Sequence, residues 1–209
     1  MELVFVRHGL PERIERKDGQ PADPPLAPEG VEQARRVADW LAGSRIDAIL
    51  CSPMRRARET AAPLAALKGL DIVIEPDIRE VDAESDSYIP LEELKAQDYE
   101  AWKRTIAGGL YAAVDPLDFQ REVVAAIERT IEAYRGGSVA VVCHGGVINA
   151  WAAHVLGIGN QLFLDAGYTS VHRFFAASTG ERSVASLNET AHLRSDVLLS
   201  PGRRSEDAA

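Results

Sequence analysis

Short uninterrupted runs of apolar, β-favouring residues constrain the fold of this chain most. Four of them occupy residues 3–6, 48–51, 72–74 and 139–143. Runs of this length without polar alternation favour strands that are buried on both faces of a parallel sheet. The segments between the runs show helical patterns, and strands that alternate with helices predict an α/β fold.

Helical periodicity in the intervening segments supports this interpretation. One predicted helix covers about residues 29–42, with Pro28 at a position suited to a first helical turn. Others are predicted over about residues 54–67, over 119–134 and after Gly146. The expected architecture is therefore a three-layer, doubly wound, mostly parallel sheet with helices on its faces.

Three regions depart from the regular alternation. Residues 169–175 and 182–187 predict two strands joined by a Ser-Thr-Gly turn, so one late antiparallel strand is expected. Residues 82–118 are polar and begin with an acidic stretch, and we interpret them as a helical, lid-like insertion over the rim of the site. Residues 10–26, rich in charge and proline, predict a loop.

Length and composition predict one globular domain. The chain has 209 residues, of which 46% are apolar and 26% charged. These values favour a single domain that covers residues 1–200, and residues 201–209 are expected to form a flexible tail. Cys51 and Cys143 each end an apolar run, which favours small core residues over a disulfide or redox pair.

Net charge and hydropathy restrict the expected partners. Lys and Arg number 23 and Asp and Glu 32, which gives a formal net charge of −9. An acidic chain binds nucleic acid and anionic lipid poorly without specific sites, so neither is expected as a partner. No apolar stretch approaches the roughly 20 residues that cross a bilayer, and no secretory leader is recognisable. We therefore expect a cytoplasmic protein with no membrane association.

Polar and charged residues follow each predicted parallel strand, where sheets of this class bind ligands. In chain order the strand ends deliver Arg7 with His8, Arg55 with Arg56, Glu80, and His144 with Gly145. Because parallel strands end at the same edge of a sheet, two histidines, at least two arginines and a glutamate should converge there.

These residue types suit phosphoryl transfer. Guanidinium groups match the charge and geometry of phosphate, and backbone N–H groups at a helix N-terminus bind anions. A neutral imidazole is a competent nucleophile, and a carboxylic acid can protonate a leaving oxygen. The arginines already supply positive charge, and no cofactor or metal motif is present, so neither a cofactor nor a metal is expected.

Four motifs in this order resemble those of the histidine phosphatase (phosphoglycerate mutase-like) superfamily. They are Val-Arg-His-Gly, Asp-Pro-Pro-Leu-Ala-Pro-Glu-Gly, Ser-Pro-Met-Arg-Arg-Ala-Arg-Glu-Thr-Ala and Val-Val-Cys-His-Gly-Gly-Val-Ile. The resemblance spans about residues 1–157, with a weaker match at 169–171. It implies a phosphoglycerate mutase-like fold and phosphoryl transfer through a phosphohistidine.

The resemblance also implies a role for each site residue. His8 becomes the phosphorylated nucleophile, and Arg7 and Arg56 clamp the phosphate. Arg56 is preferred to Arg55 because it fills the arginine of the family's Ser-x-x-x-Arg-Ala pattern. The remaining implied roles are proton donor and later base for Glu80, hydrogen-bond donor to the phosphate for His144, and a backbone N–H for Gly145.

Three departures from the family's motifs leave the proton donor and the pocket open. Glu80 is followed by Val-Asp-Ala-Glu instead of Gly-x-Trp-Glu-Gly, so Asp82 and Glu84 compete with it as proton donor. Tyr168 stands where the family often has asparagine, and Leu-Pro-Glu-Arg-Ile follows the Arg-His-Gly motif in place of the usual polar residues. Helical spacing favours packing roles for the lid aromatics, with pocket lining as the alternative: Tyr99, Trp102 and Tyr111.

Three functions follow from the resemblance. The first is a metal-independent phosphatase acting on a small-molecule phosphate ester or a phosphoprotein. The second is a mutase, which needs extra basic residues that residues 82–118 supply only as Lys95, Lys103 and Arg104. The third is a catalytically silent module that binds a phosphoprotein. The shortage of basic residues favours hydrolysis, while the substrate and the oligomeric state stay open.

Overall fold

A six-stranded mixed sheet lies at the centre of the computed structural model, which describes residues 1–107, 114–159 and 162–194. Its strands are β1 (Glu2–Arg7), β3 (Ala48–Cys51), β4 (Ile72–Ile74), β6 (Ser138–Cys143), β7 (Val171–Ala176) and β8 (Arg182–Glu189). Their spatial order is β4-β3-β6-β1-β7-β8. The first four run parallel, and β7 is antiparallel to both of its neighbours, which confirms the predicted late antiparallel strand.

Helices lie between the strands, four of them at the positions that periodicity predicts and α3 and α4 in the segment interpreted as a helical insertion. They are α1 (Pro28–Trp40), α2 (Arg55–Lys68), α3 (Leu91–Gln97), α4 (Tyr99–Ile106), α5 (Pro116–Ala133) and α6 (Gly145–Leu156). Helix α5 begins three residues before its predicted start because Asp115 caps it. The Asp115 carboxylate accepts hydrogen bonds from the N–H groups of Leu117 and Asp118.

Two hydrophobic clusters pack against opposite faces of the sheet. In β1, Leu3 and Phe5 face the cluster that contains residues of α5 and α6, while Val4 and Val6 face the cluster of α1 and α2. The alternation of side chains along a strand makes this possible, and full burial of each such side chain contributes about 1.5–3 kcal/mol. The three-layer, doubly wound architecture is thus confirmed.

Two local expectations were wrong. Strand β4 was expected to be buried on both faces, but Val73 and Ile74 are 43% and 44% exposed. The reason is its place at the edge of the sheet, with β3 as its neighbour. Residues 10–26 are not entirely a loop, because β2 (Ile14–Glu15) pairs with β5 (Ser87–Tyr88) and so connects this segment to the insertion.

The described parts of the insertion, residues 82–107 and 114–118, contain β5, α3, α4 and the first residues of α5. Tyr111 and the predicted tail over residues 201–209 lie outside the described residues. No helix in the described ranges is both long and apolar enough to cross a membrane. Cys51 and Cys143 are free, buried thiols, as expected of small core residues.

Candidate active site

The carboxyl ends of the parallel strands open into a cavity of about 640 Å³. The strand register pairs Arg7 with Cys143 and Cys51 with Val142, so the residues after β1, β3 and β6 emerge side by side. After β4, a short 3-10 turn (Pro76–Ile78) brings the segment that contains Glu80 to the same edge. Of the six site residues predicted from the sequence, buried His144 does not line the cavity and five do: Arg7, His8, Arg56, Glu80 and Gly145. Trp102, for which packing was favoured, also lines the cavity, as the alternative had it.

His8 lies buried directly after β1, and its backbone N–H donates to the carbonyl of Cys143 at 2.9 Å. Its ring Nδ1 is 2.8 Å from the carbonyl oxygen of Gly9. A carbonyl only accepts hydrogen bonds, so Nδ1 carries the proton and Nε2 keeps its lone pair. Burial, and then the charges of Arg56 and Arg7, hold the pKa of His8 well below its usual value. The imidazole is therefore neutral at physiological pH, with Nε2 able to act as a nucleophile.

Gly9 fixes the turn that follows the histidine. Its N–H donates to the Thr60 hydroxyl at 2.9 Å, and that hydroxyl in turn donates to the carbonyl of Arg56 at 2.7 Å. A Cβ at Gly9 would lie 2.6 Å from the carbonyl oxygen of Gly30 at the start of α1. A side chain therefore does not fit here, and the glycine allows the His8 backbone to be held between α1 and α2.

Arg56 is fully buried in the first turn of α2. Its Nη2 donates to Asp82 at 2.8 Å, and its Cζ lies 4.6 Å from the ring centroid of Tyr88. Within the part of the chain that the structure describes, its Nε and Nη1 have no hydrogen-bond partner. Buried guanidinium donors of this kind are suited to an anion in the cavity.

Arg7, the last residue of β1, also lines the cavity. Its Nη1 donates to the carbonyl of Ala166, and its Cζ stacks 4.1 Å from the ring centroid of Tyr168. The tyrosine that stands in place of the usual asparagine therefore supports the guanidinium group by a cation–π contact.

His144 is the residue before α6, and it is completely buried. Its Nε2 is 2.7 Å from the hydroxyl of Ser52, which also accepts the N–H of Met54 at 3.3 Å. Its Nδ1 has no hydrogen-bond partner among the described residues, and its ring centroid lies 5.1 Å from that of His8. Burial, and then the charge of Arg56, hold the pKa of His144 well below its usual value.

Glu80 is held at the N-terminus of α6. Its Oε2 accepts the N–H of Gly146 at 2.9 Å, and its Oε1 accepts the N–H of Val81 at 3.0 Å. Burial first, and then the negative charge of Asp82, raise the pKa of Glu80 above its ordinary value. A carboxyl group in this environment keeps its proton to higher pH than an exposed one, as a general acid must.

The two competing acids differ in position. Asp82 lines the cavity and pairs with Arg56. The Glu84 side chain is 75% exposed and pairs with Arg79 on the surface. The structure therefore brings Asp82 to the site and leaves Glu84 outside it. Arg55, the sequence alternative to Arg56, pairs with Glu59 at the surface.

A model of the histidine phosphatase superfamily, branch 1, matches residues 3–190. The chain belongs to this superfamily. A probable phosphoglycerate mutase GpmB from Enterobacter sp. (strain 638) is 27% identical over 164 residues, which cover 76% of each chain. A bifunctional protein from Mycobacterium tuberculosis is 31% identical over 204 residues, 91% of this chain and 54% of that protein. The chain thus spans about half the length of that relative.

The fold agrees with solved structures of the superfamily. A phosphoserine phosphatase mutant from Entamoeba histolytica, in complex with phosphoserine, aligns with a TM-score of 0.73 at 21% identity. The alignment covers 92% of this chain and 99% of that chain. Within the described ranges of this member of the superfamily, no group of three or more His, Cys, Asp or Glu side chains could hold a metal ion.

Sequence reasoning missed three residues at or next to this candidate site. Ser52 opens the same motif as Arg56, and its position in that motif was the available signal. Asn149 is a buried polar residue in the apolar helix α6, and that contrast was detectable in the sequence. Tyr88 gave no signal, because its contact with Arg56 depends on how the insertion folds over the sheet.

Proposed function

We propose that this protein is a metal-independent phosphatase that hydrolyses a phosphomonoester through a phosphohistidine on His8. The observation that carries the proposal is the fixed tautomer of His8. The Gly9 carbonyl holds the proton on Nδ1, so a neutral Nε2 lies in a cavity that two arginines also line. An unprotonated imidazole beside buried guanidinium groups suits attack on a bound phosphate.

In the first step, Nε2 of His8 attacks phosphorus as the bond between phosphorus and the leaving oxygen breaks. The arginines Arg7 and Arg56 neutralise charge on the equatorial oxygens, where the transition state carries it. Protonated Glu80 gives its proton to the leaving oxygen, so the alcohol departs neutral. The products of this step are a phosphohistidine and a Glu80 carboxylate.

In the second step, water attacks the phosphorus of the phosphohistidine. The Glu80 carboxylate accepts a proton from that water as the P–N bond breaks, which regenerates neutral His8 and the Glu80 acid. His144 contributes a hydrogen bond to the phosphate through Nδ1. The Ser52 hydroxyl, 2.7 Å from Nε2, favours this tautomer when it donates to that nitrogen.

Asp82 has a different task in this scheme. Its carboxylate accepts from Nη2 of Arg56, which leaves Nε and Nη1 for the phosphate. It also raises the pKa of Glu80 by charge repulsion, after the larger effect of burial. Asp82 therefore orients the clamp and helps keep the acid protonated, while Glu80 carries the proton.

A mutase is the second candidate, because one relative is named as a probable phosphoglycerate mutase. In that reaction the phosphohistidine returns its phosphoryl group to a bound alcohol instead of water. Release of inorganic phosphate and isomerisation of phosphoglycerate, measured on the same preparation, separate the two candidates.

Hydrolysis of p-nitrophenyl phosphate in excess EDTA tests the proposal. We expect turnover by the wild type, loss of turnover in His8→Ala, and full turnover in His154→Ala, which removes an exposed histidine near the end of α6. Activity that disappears with EDTA would refute the metal-independent mechanism. Equal activity in His8→Ala and wild type would refute the role of His8, and tight phosphopeptide binding without any turnover would indicate a silent binding module.

A further inference from the structure

The wall of the cavity beyond the phosphate-binding arginines is largely apolar. It is formed by side chains of the insertion and of the segment after α6: Ile89, Leu94, Trp102, Leu162, Phe163 and Leu164. Such a wall stabilises an alcohol group by removing its apolar surface from water. Hydroxyl-bearing residues also line the cavity, namely Ser85, Ser87, Tyr88 and Thr105, but against the apolar side chains sugar hydroxyls and carboxylates would lose hydrogen bonds to water without equivalent replacement.

The charges near this wall disfavour a second anionic group. Among the described lining residues outside the arginine pair, Lys95 is the one cation, and its Nζ lies 4.6 Å from the ring centroid of Trp102. Two carboxylates, Asp82 and Asp165, line the same cavity. Since Asp82 pairs with Arg56, Lys95 and Asp165 are the remaining described charges near this wall, so a carboxylate or second phosphate on the substrate would meet no excess of positive charge there.

Asn149 holds part of the apolar wall in place. Its Oδ1 accepts the N–H groups of Phe163 and Leu164 at 3.1 and 3.0 Å. Its Nδ2 donates to the carbonyls of Gly145 and Leu164, both at 2.9 Å. Asn149 thus fixes Phe163 and Leu164 to α6 before a substrate arrives. A wall that is already fixed loses less conformational entropy when the substrate binds.

We propose that the substrate is a phosphomonoester whose alcohol part is uncharged and apolar or aromatic; this rests on the proposed phosphatase function. The cavity of about 640 Å³ lies within the range typical of small-molecule sites. Its arginine end binds the phosphate, and its apolar wall, with Trp102 and Phe163, contacts the alcohol. The wall offers no excess of positive charge to the second charged group of a phosphoglycerate or bisphosphate, so these esters are not expected as preferred substrates.

A matched series of esters tests this inference. The esters are ethyl phosphate, n-hexyl phosphate and 6-phosphooxyhexanoate, in which the reacting end is similar while chain length or terminal charge changes. We expect kcat/KM for n-hexyl phosphate to exceed that for ethyl phosphate by about tenfold or more, because the added methylenes are buried. We expect 6-phosphooxyhexanoate to lose about tenfold relative to n-hexyl phosphate.

Two variants place the effect on named residues. Trp102→Ala should lower kcat/KM for n-hexyl phosphate about tenfold and leave ethyl phosphate within about twofold. Trp40→Ala is the matched control, since Trp40 is a 40% exposed tryptophan at the end of α1 that does not line the cavity. Asp165→Asn should raise kcat/KM for 6-phosphooxyhexanoate about threefold and leave n-hexyl phosphate unchanged.

The outcomes separate this inference from the proposed function. Hydrolysis of all three esters at equal kcat/KM, or a preference for the carboxylated ester, would overturn the inference and leave the phosphatase function standing. No hydrolysis of any ester, nor of p-nitrophenyl phosphate, would overturn both. Equal losses in Trp102→Ala and Trp40→Ala on every ester would show a structural effect and would also overturn the assignment of Trp102.

Discussion

Gly146→Ala is expected to displace the proposed general acid without disturbing the fold. A Cβ at this position would lie 2.2 Å from Oε1 of Glu80. To move from 2.2 Å to the 3.4 Å at which ordinary contact begins, the carboxylate must retreat by about 1.2 Å. The clash is with the end of a flexible side chain, so the movement is accommodated by Glu80 and not by the backbone.

The size of the effect follows from the geometry. A misplacement of about 1 Å in a catalytic group can lower the rate about 100-fold, and general acid catalysis itself contributes about 10²–10⁴-fold. We therefore predict a loss of about 100-fold for the first turnover of an alkyl phosphate, equivalent to about 2.7 kcal/mol. Stability should not fall, because alanine favours a helix over glycine by up to about 1 kcal/mol.

Single-turnover rates with two esters test this prediction. Ethyl phosphate needs its leaving oxygen protonated, whereas p-nitrophenolate leaves without a proton, so only the alkyl ester should lose rate in its first turnover. Gly145→Ala adds the same methyl one residue earlier, where the nearest atom is Nε of Arg7 at 3.8 Å. That variant should change both esters equally and by less than about threefold. Equal losses for the two esters in Gly146→Ala would refute the role of Glu80 as the acid.

Three further predictions concern hydrogen bonding and titration. Ser52→Ala should lower kcat about three- to tenfold, because a buried hydrogen bond contributes about 0.5–1.5 kcal/mol; a loss of thermal stability with unchanged kcat would refute the proposed effect on the His144 tautomer. Asp82→Asn removes a charge that raises the pKa of Glu80, so Glu80 should lose its proton at lower pH. The basic limb of the pH–rate profile for ethyl phosphate should therefore move to lower pH, and a limb at the wild-type position would contradict the role of the Asp82 charge. Burial, and then the charge of Arg7, lower the pKa of His172 from 6.5 to about 4. As the pH falls below 6.5, the unfolded chain binds a proton that the folded chain does not, so stability is lost until about pH 4. Urea unfolding at several pH values gives the free energy of unfolding as a function of pH. In this window His172→Gln should lower its slope against pH, by at most about 1.4 kcal/mol per pH unit.

Features that depend on local pattern were predictable from the sequence. The apolar runs predicted β1, β3, β4 and β6, and the residues at or just after the ends of these strands included Arg7 and Arg56. Their convergence follows from the shared direction of parallel strands, so it required no knowledge of the strand order. The shared core of the site was therefore within reach of sequence reasoning.

Features that depend on distant pairing were not predictable. The exposure of Val73 follows from the position of β4 at the sheet edge, which local sequence does not encode. The contact between Ser52 and His144 joins residues 92 positions apart, and that between Arg56 and Asp82 joins residues 26 apart. The first contact depends on the strand order and the second on how the insertion folds back over the sheet. Neither has a local signature in the sequence.

The measurement that tests the central claim most directly is capture of the covalent intermediate in Glu80→Gln with p-nitrophenyl phosphate. This ester does not need the acid in the first step, whereas hydrolysis of the phosphohistidine needs the base, so the intermediate should accumulate. After an alkaline quench, mass spectrometry should find one phosphoryl group, located on His8, together with a burst of one p-nitrophenolate per chain. Phosphorylation of another residue, or turnover with no phosphorylated chain at any time, would contradict the account.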